Sequence, residues 1–410
     1  MMSAPFLALF ISTQVILIAI HTSTLNAFQL PRIVITKQKQ LCTDPNRVIT
    51  MATSNPTEDI PIKVADKPTA SNPWYSDASL KRDREKVMDR RETKWESVSM
   101  ETSRFILVTD EGMYHERMES ETSVPSPLFF TFEEVSALVG KDRLKESLQS
   151  SDKNNLLAWV GEHDNQDYWV YATEKVDLDK IRAQNNAKIN VAGLREFGDS
   201  LLNMTDAAIL GTCNGLVEFH KSHSFCSKCG NPTRTSKAGG SRKCTSKICG
   251  ASVYPRIDTA AIMIITTQCE NYALLGRKSN WPQGRYSTLA GFAEIGETME
   301  QCCVRETLEE SGIVVDPGSM TFVCSQPWPF PRSLMVGFRA KAQEPGQPSI
   351  RIDELEMEDI RWFPREYVRE RIEGGSTAMN FQPNEKESEF HIPGPASLGR
   401  MLITQWANEI

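Results

Sequence analysis

Short apolar runs separated by polar segments dominate the pattern of this chain. Four of these runs, in the first half, are rich in β-branched and aromatic residues, a composition typical of strands. They are SRFILVTD at 103–110, SPLFFTF at 126–132, NLLAWVGEH at 155–163 and DYWVYATE at 167–174. Apolar positions with helical spacing then follow from Leu194 to Lys221. We therefore predict a small α/β domain at residues 76–220, with a mostly β domain as the alternative.

A second set of apolar runs predicts another sheet in the last third of the chain. The runs are AAIMII at 260–265, YALLGRK at 272–278, MTFVCSQPW at 320–328, SLMVGFRAKA at 333–342 and IRWF at 360–363. The segment after Thr298 has helical spacing, and Ser397–Asn408 predicts a closing helix. Strands on either side of a helix favour the α/β class. We predict an α/β/α sandwich around a mixed sheet at residues 254–410.

The first 75 residues predict a leader and a disordered linker. Pro5–Ile20 is apolar but short for a transmembrane helix, and it resembles a cleavable signal peptide. Together with Leu25–Pro31 and the basic stretch Arg32–Arg47, it resembles the bipartite plastid-targeting leaders of algae with complex plastids. We expect no stable membrane association after its removal. Alternatively, an internal start at Met51 gives a leaderless product in the cytosol or the peroxisome.

Length and charge set limits on the class of protein. A chain of 410 residues accommodates two or three domains. Its net charge of −7 argues against binding to nucleic acid through bulk electrostatics, although it permits action on the end of an RNA. Ser79–Lys94 is nearly all charged and predicts a solvated helix.

Four of the ten cysteines have the spacing of a metal site. Two residues separate Cys226 from Cys229, and four separate Cys244 from Cys249. Four thiolates suit one tetrahedral structural Zn²⁺ in a ribbon at residues 221–253, with no position left open for substrate. Disulfides or unligated thiols are the alternatives, and the scattered remaining cysteines favour a reduced compartment. The neighbouring His220 and His223 are not needed as ligands.

The segment GFAEIGETMEQCCVRETLEESGI, from Gly291 to Ile313, concentrates carboxylates on a predicted helix. Glu306 and Glu310 lie four residues apart on one face, with Glu309 beside them. Such carboxylates repel one another unless a hard divalent cation, Mg²⁺ or Mn²⁺, neutralises them. Arg305 can brace the glutamates, and Gly291 and Gly296 let the preceding loop expose backbone carbonyls to the metal. A solvated glutamate-rich helix face is the alternative, but it leaves the glycines and the arginine in register unexplained.

The whole segment matches the Nudix box, apart from Thr307 at a position where that box usually has an aliphatic residue. Ser325–Ser333 reads SQPWPFPRS, the signature of NADH pyrophosphatases. With the four-cysteine ribbon and YPRID at 254–258, the chain resembles the NADH pyrophosphatase and NAD-capped RNA hydrolase subfamily. In that family YPR is followed by Asp-Pro, whereas Asp258 is followed here by Thr259. The resemblance implies a Nudix-like N-terminal domain at residues 76–220 and a homodimer.

The resemblance also implies a reaction, which is hydrolysis of the pyrophosphate of NAD(H) to a nicotinamide mononucleotide and AMP. Alternatives are removal of the NAD cap from RNA, hydrolysis of other nucleoside diphosphates such as ADP-ribose, or non-catalytic nucleotide sensing. For RNA, basic residues of the ribbon can hold phosphates: Lys237, Arg242, Lys243 and Lys247. Arg332 is a further candidate for a phosphate contact.

The implied site residues fall into three groups. The catalytic group is Arg305, Glu306, Glu309, Glu310 and Glu356, with the general base left open between Glu309 and Glu356. The Mg²⁺ or Mn²⁺ ligands are Glu306, Glu310, Glu356 and the backbone carbonyl of Ala290. The substrate contacts are Tyr254, Ala290, Gly291, Phe292, Gln326, Trp328, Phe330 and Ser333. Trp328 and Phe330 offer flat apolar walls for the rings, with core packing as the alternative. We expect the Cys302–Cys303 pair to be packing residues.

Overall fold

The computed structural model describes residues 79–87, 100–116, 125–174, 176, 189–201, 203–374 and 390–409. The predicted leader and linker at residues 1–75, which include Met51, lie outside these residues. Among the described helices, none is both long enough and apolar enough to cross a membrane.

The N-terminal part of the described chain forms a mixed sheet in the order β3-β2-β1-β6-β5, with β4 paired to β1 and β7 to β2. Its strands are β1 (Arg104–Thr109), β2 (Gly112–Glu116), β3 (Ser126–Pro127), β4 (Phe130–Thr131), β5 (Asn155–His163), β6 (Gln166–Thr173) and β7 (Ile189–Ala192). The runs predicted at 103–110, 155–163 and 167–174 are thus confirmed as strands. The run at 126–132 is only partly a strand, because a helix begins at Phe132, capped by the Thr131 side chain.

Helices cover both faces of this sheet. They are α1 (Phe132–Val139), α2 (Lys141–Glu146), α3 (Leu194–Phe197) and α4 (Met204–Ser222), with 3-10 turns at Arg84–Val87, Met100–Thr102, Ser147–Gln149 and Gly198–Ser200. Successive residues of β1 point to opposite faces, so Ile106 packs towards α4 while Leu107 packs in the cluster that holds α1 and α2. Both faces are therefore apolar cores.

The helix predicted from Leu194 to Lys221 is interrupted. A four-residue helix, α3, ends in a 3-10 turn, and α4 starts anew after Asn203. The Asn203 side chain accepts hydrogen bonds from the backbone N–H groups of Thr205 and Asp206, which is the arrangement that begins a helix. The interruption leaves residues 195–200 outside a long helix.

The solvated helix predicted at Ser79–Lys94 is wrong over the described residues 79–87. Lys81 pairs with Glu162 as a β-bridge, and Leu80 and Val87 are buried. The Arg84 guanidinium donates to the carbonyl oxygens of Trp159 and Ala238, at 2.8 and 3.0 Å. Charge alone suggested solvent exposure, but this segment packs on the edge of the sheet.

A small three-stranded sheet follows α4, in the order β10-β9-β8. Its strands are β8 (Thr233–Ser236), β9 (Ser241–Cys244) and β10 (Ser252–Val253). All pairings are antiparallel. Cys244 ends β9, and the other three metal-spaced cysteines lie in the turns around this sheet, as the ribbon prediction requires.

The C-terminal sheet has the order β14-β15-β11-β12-β16, with β13 paired to β11. Its strands are β11 (Asp258–Thr266), β12 (Tyr272–Arg277), β13 (Leu289–Phe292), β14 (Val315–Trp328), β15 (Ser333–Ala342) and β16 (Asp359–Pro364). The sheet is mixed, because β11 runs parallel to β15 while the other pairs are antiparallel. Every strand run predicted for this region is confirmed.

The C-terminal helices complete the predicted α/β/α sandwich. They are α5 (Met299–Ser311), α6 (Arg365–Glu373) and α7 (Leu398–Asn408). Side chains alternate along β11, so Met263 packs with residues of α5 on one face and Ile264 packs with residues of α7 on the other. The sheet therefore separates the carboxylate-bearing helix from the closing helix.

Candidate functional site

Helix α5 is capped at both ends by its own sequence. The Thr298 side chain accepts from the Gln301 backbone N–H while the Gln301 side chain accepts from Thr298, a reciprocal capping box. Gly312 ends the helix at φ 72°, a left-handed conformation that favours glycine. Thr307 is fully buried, and its hydroxyl donates to the Cys303 carbonyl at 2.7 Å, so the polar atom is satisfied. Cys302 and Cys303 are core residues, as predicted.

Arg305 organises the carboxylates around α5. Its Nε and Nη2 atoms donate to the two oxygens of Glu297, each at 2.8 Å, in a bidentate pair. Its Nη1 atom donates to Glu306 at 2.8 Å and to Glu309 at 2.9 Å, and Nη2 also donates to the Phe292 carbonyl. The arginine hydrogen bonds lower the pKa of Glu297 to about 2. The bracing role expected of Arg305 is thus visible in its contacts, which reach three glutamates.

Glu306 and Glu310 are buried carboxylates. Burial raises the pKa of Glu306, although Arg305 acts against it. Burial also raises the pKa of Glu310 to about 8, and the Lys278 ammonium, 4.0 Å from Glu310 Oε1, offsets part of this effect. Glu309, by contrast, has an exposed side chain. The helix thus presents two desolvated carboxylates beside one that faces solvent.

The carboxylates fit a hard divalent cation in their donor chemistry. Oxygen donors are the ligands that Mg²⁺ and Mn²⁺ prefer. Glu310 Oε2 is buried and has no hydrogen-bond partner within the described residues, which is costly for a carboxylate oxygen unless a cation satisfies it. Among the described residues, the four cysteines are the only group of three or more His, Cys, Asp or Glu side chains whose ligand atoms already lie together. The case that the glutamates bind a divalent cation therefore depends on their oxygen donors and on the unpartnered oxygen of Glu310.

Glu356 lies close enough to act on this pair through its charge. It precedes β16, its side chain is exposed, and it raises the pKa of both Glu306 and Glu310. Lys278 was not identified from the sequence, because an isolated lysine at the end of a strand has no distinctive spacing. The structure brings the side chains of Glu356 and Lys278 close to the carboxylates of α5.

The SQPWPFPRS segment is the end of a β-hairpin. Ser325–Trp328 belong to β14 and pair with the start of β15. Gln326 is buried and bridges to the closing helix, donating to the Ala396 carbonyl and accepting from the Leu398 N–H at 2.8 and 2.9 Å. Trp328 and Phe330 meet edge to face, with ring centroids 5.1 Å apart. Gln326 therefore has a structural function in addition to the predicted substrate contact.

A cavity of about 510 Å³ opens beside this hairpin. Four of the predicted substrate residues line it, and they are Ala290, Gln326, Trp328 and Phe330. The other four do not line it: Tyr254, Gly291, Phe292 and Ser333. Of these, Tyr254 and Phe292 are exposed, whereas Ser333 is buried. The aromatic walls predicted from the proline-rich segment thus belong to a cavity.

Three charged residues of the cavity were missed from the sequence. Arg195 and Asp199 come from α3 and the turn after it, and Arg285 comes from the loop before β13. Asn214, on α4, donates to the Pro329 carbonyl at 2.6 Å and joins the N-terminal domain to the hairpin. No local pattern indicates these residues, because they meet only when the N-terminal domain packs against the C-terminal sheet.

The four cysteines lie together, as their spacing predicted. Their Sγ atoms all lie within 4.8 Å of one another. Tetrahedral Zn–S bonds of about 2.3 Å place sulfur atoms roughly 3.8 Å apart, and the Cys226–Cys249 and Cys229–Cys244 distances are 3.9 and 3.5 Å. All four are free thiols in the structure, so the arrangement fits a metal rather than a disulfide framework.

Among the basic ribbon residues, Arg242 is unsuited to binding RNA phosphates. It is fully buried and donates to His220 Nδ1 at 3.0 Å and to the Thr233 carbonyl at 2.8 Å. Lys237 donates to the Tyr254 hydroxyl at 3.0 Å. Lys243 and Lys247 are exposed. The expectation for Arg242 is therefore wrong, because its guanidinium is consumed by internal contacts.

Comparisons with known proteins agree with this geometry. Residues 256–379 match the NUDIX domain, and residues 221–254 match the NADH pyrophosphatase zinc ribbon domain. The chain therefore carries a NUDIX domain of the α/β class. Immediately ahead of that domain lies the match to the NADH pyrophosphatase zinc ribbon domain.

Several curated relatives are about one-third identical to the chain over about half of its length. Nudix hydrolase 19, chloroplastic, of Arabidopsis thaliana is 35% identical over 50% of this chain and 53% of its own length. The Homo sapiens proteins NAD-capped RNA hydrolase NUDT12 and NAD(P)H pyrophosphatase NUDT13, mitochondrial, are 34% and 35% identical, over 50% and 51% of this chain and 42% and 57% of their own lengths. The chain spans about half the length of these relatives. A crystal structure of NUDIX hydrolase from Nitrosomonas europaea is 22% identical, covering 42% of this chain and 97% of that one with a TM-score of 0.29.

Proposed function

We propose that this protein hydrolyses the pyrophosphate bond of NAD(H) to a nicotinamide mononucleotide and AMP. The observation that carries the proposal is the pair of buried carboxylates on α5, Glu306 and Glu310, one with an unpartnered oxygen. Ala290, whose backbone hydrogen-bonds to Glu310, also lines the cavity walled by Trp328 and Phe330. A substrate with a diphosphate between two ring systems needs carboxylates that hold a cation for the diphosphate and aromatic walls that bind a ring. The names of two relatives, NAD(P)H pyrophosphatase and NAD-capped RNA hydrolase, support the same substrate class.

Glu306, Glu310 and Glu356, with the carbonyl of Ala290, would hold a divalent cation, for which we propose Mg²⁺ or Mn²⁺. When bound, that cation supplies positive charge to the diphosphate oxygens and makes the attacking water more acidic. Arg305 fixes the rotamers of Glu306 and Glu309 through its hydrogen bonds. Water adds to one phosphorus, the bridging P–O bond breaks, and two monophosphates result.

The proton of the attacking water passes to a carboxylate. Glu309 and Glu356 are both solvent-exposed, and both remain candidates for this general base. Glu310 is less suited to that function, because its buried oxygens are needed by the cation.

We assign the four-cysteine site to one structural Zn²⁺. Its four ligands leave no open position, so it stabilises the ribbon and takes no part in the hydrolysis. The buried Arg242 joins β8 and β9 of the ribbon to His220 at the end of α4. The ribbon thus stabilises the connection between the N-terminal domain and the NUDIX domain.

The decisive experiment is a substrate panel with the full chain and Mg²⁺ or Mn²⁺. NADH, NAD⁺, ADP-ribose and a short NAD-capped RNA are incubated separately, and products are identified by mass. We expect reduced nicotinamide mononucleotide and AMP from NADH. Absence of turnover on all four substrates with either metal would overturn the proposal.

NAD-capped RNA is the second candidate substrate. Lys243 and Lys247 remain exposed on the ribbon and are free of the internal contacts that consume Arg242. Such lysines bind phosphates in a salt-dependent manner. If RNA is the main substrate, kcat/KM for capped RNA exceeds that for NADH and falls with rising salt, and Lys243→Gln with Lys247→Gln reduces that excess.

Two further proposals concern the state of the protein in the cell. The names of relatives include a chloroplastic and a mitochondrial protein, which favours an organelle for this one; we propose the plastid. Imaging a fluorescent fusion to the full chain tests this, and a diffuse cytosolic signal counts against it. We also propose a homodimer, which light scattering after size-exclusion chromatography measures directly.

A further inference from the structure

Two arginines line the cavity, each held against an aromatic ring. The Arg285 guanidinium lies over the Trp281 ring, 5.4 Å from its centroid, and that of Arg195 lies over the Phe330 ring at 5.9 Å. A cation–π contact of this kind uses the charge of the guanidinium and leaves its N–H groups available for hydrogen bonds. Both rings also line the cavity. The two cations therefore belong to the same wall as the proposed ring-binding surface.

The charge of these arginines is not balanced within the cavity. Asp199 is the one acidic residue among the described residues that line it, against two arginines. Arg285 Nε is buried without a hydrogen-bond partner in the described part of the chain, and so is Thr288 Oγ1, on the same cavity. Unsatisfied buried donors are costly, and a ligand that accepts hydrogen bonds removes that cost.

The environment of each group strengthens this conclusion. Burial, and then the charge of Arg195, lower the pKa of Arg285, so a second positive charge already disfavours the guanidinium. Burial also raises the pKa of Asp199, which weakens its ability to neutralise the arginines. An anionic ligand would relieve the repulsion between the two cations.

We propose that Arg285 and Arg195 form a phosphate-binding subsite, which selects dinucleotides whose adenosine ribose carries an additional phosphate. The inference rests on the proposed function, since it assumes that one half of a dinucleotide occupies this cavity. Planar guanidinium groups match phosphate oxygens with paired hydrogen bonds. Of the two halves of the proposed substrate, the adenosine half is the one that occurs with such a phosphate, at its 2′ position.

Equilibrium binding without divalent cation tests the subsite apart from catalysis. The probes are adenosine 2′,5′-bisphosphate and AMP, measured by calorimetry on the full chain. We expect the bisphosphate to bind about tenfold more tightly or better, the scale of one hydrogen bond to a charged group. Arg285→Gln should abolish the preference, and Arg285→Lys should retain part of it, because lysine keeps the charge without the planar fork.

Two other variants secure the interpretation. Arg195 is exposed, so we expect the Arg195→Gln variant to fold. This variant should also reduce the preference for adenosine 2′,5′-bisphosphate over AMP. Arg361→Gln removes an equally charged, exposed arginine away from the cavity and should leave the preference intact. Equal binding of the two probes by the wild type, or a preference that survives both cavity substitutions, would overturn the proposal.

Hydrolysis then distinguishes this inference from the proposed function. We expect a higher kcat/KM for NADPH than for NADH in the wild type and a lower ratio in Arg285→Gln. If NADH is hydrolysed but the ratio is one and is unchanged by the substitution, the subsite is wrong and the function stands. If the bisphosphate preference depends on Arg285 while neither dinucleotide is hydrolysed, the function is wrong and the subsite stands.

Discussion

Gly291 and Glu306 lie so close that a Cβ atom on residue 291 would stand 1.9 Å from the Cδ atom of Glu306. The glycine is thus a steric requirement of the carboxylate on α5. Its backbone dihedrals are not the reason, because no positive φ occurs at this position. The first position of the Nudix box thus lets the last strand before the helix approach the Glu306 carboxylate.

Gly291→Ala should displace Glu306 and lower turnover of NADH by about a hundredfold, the scale of a displacement of roughly 1 Å in an active site. Steady-state kinetics at saturating Mg²⁺ measure this. The matched control is Gly215→Ala on α4, where a Cβ meets nothing within 4 Å. That control should keep full activity and gain roughly 0.5–1 kcal/mol of stability. Wild-type turnover in Gly291→Ala would show that the position of Glu306 is unimportant.

Glu309→Gln and Glu310→Gln should each lower turnover at least about a hundredfold, because one removes a candidate base and the other a cation ligand. Neither substitution should lower the melting temperature much, but for different reasons. Glu310 is buried, one of its oxygens has no partner among the described residues, and Lys278 is 4.0 Å from the other, so a neutral side chain there should not lower the melting temperature. Glu309→Gln loses an ion pair with Arg305 that is partly exposed and contributes little. Glu300→Gln, exposed on the same helix, serves as the control. Near-wild-type hydrolysis by both variants would contradict the assignment.

Purified protein should contain about one zinc per chain, which remains when Mg²⁺ is withdrawn. Cys244→Ser should lose that zinc, lower the melting temperature, and reduce activity only in proportion to the folded fraction. Cys269→Ser, which changes a thiol outside the four-cysteine cluster, should retain zinc. Elemental analysis and thermal unfolding provide both readings, and active protein without zinc would refute the structural assignment.

Stability should fall as the pH drops below about 6.5, in part because of His220. Its Nδ1 atom accepts from Arg242, and its Nε2 atom bonds to the Gly239 carbonyl, so both nitrogens are used by the neutral ring. Burial lowers the pKa of His220 to about 3. Between pH 6.5 and 3 the unfolded chain therefore binds a proton that the folded chain excludes, and unfolding becomes easier.

His220→Gln tests this through the slope of the free energy of unfolding against pH. The variant should be less stable at pH 7, because it loses a buried hydrogen bond, but its stability should fall less steeply between pH 6.5 and 4. Denaturant titrations at several pH values measure both quantities. Equal slopes for the two proteins would show that His220 is not the proton-binding group.

Local structure could be predicted from the sequence alone. Five of the six strands of the C-terminal sheet, the helix after Thr298 and the gathering of Cys226, Cys229, Cys244 and Cys249 follow from periodicity and ligand spacing, whereas β13 lies in a stretch expected to be a loop. These signals act over a few residues, through backbone hydrogen bonds and short loops, so they can be recognised without knowledge of the fold. Glu306, Glu309 and Glu310 share one helical turn for the same reason.

Only the tertiary structure decided what surrounds these residues. The burial of Arg242 and the break after α3 depend on which elements pack together. The sequence around a charged residue does not indicate whether that residue will be buried. The cavity combines Arg195, Arg285 and Phe330, which lie far apart in the chain and meet when the N-terminal domain packs against the hairpin. Burial and charge pairing depend on all the neighbours of a group, and most of those neighbours are distant in sequence.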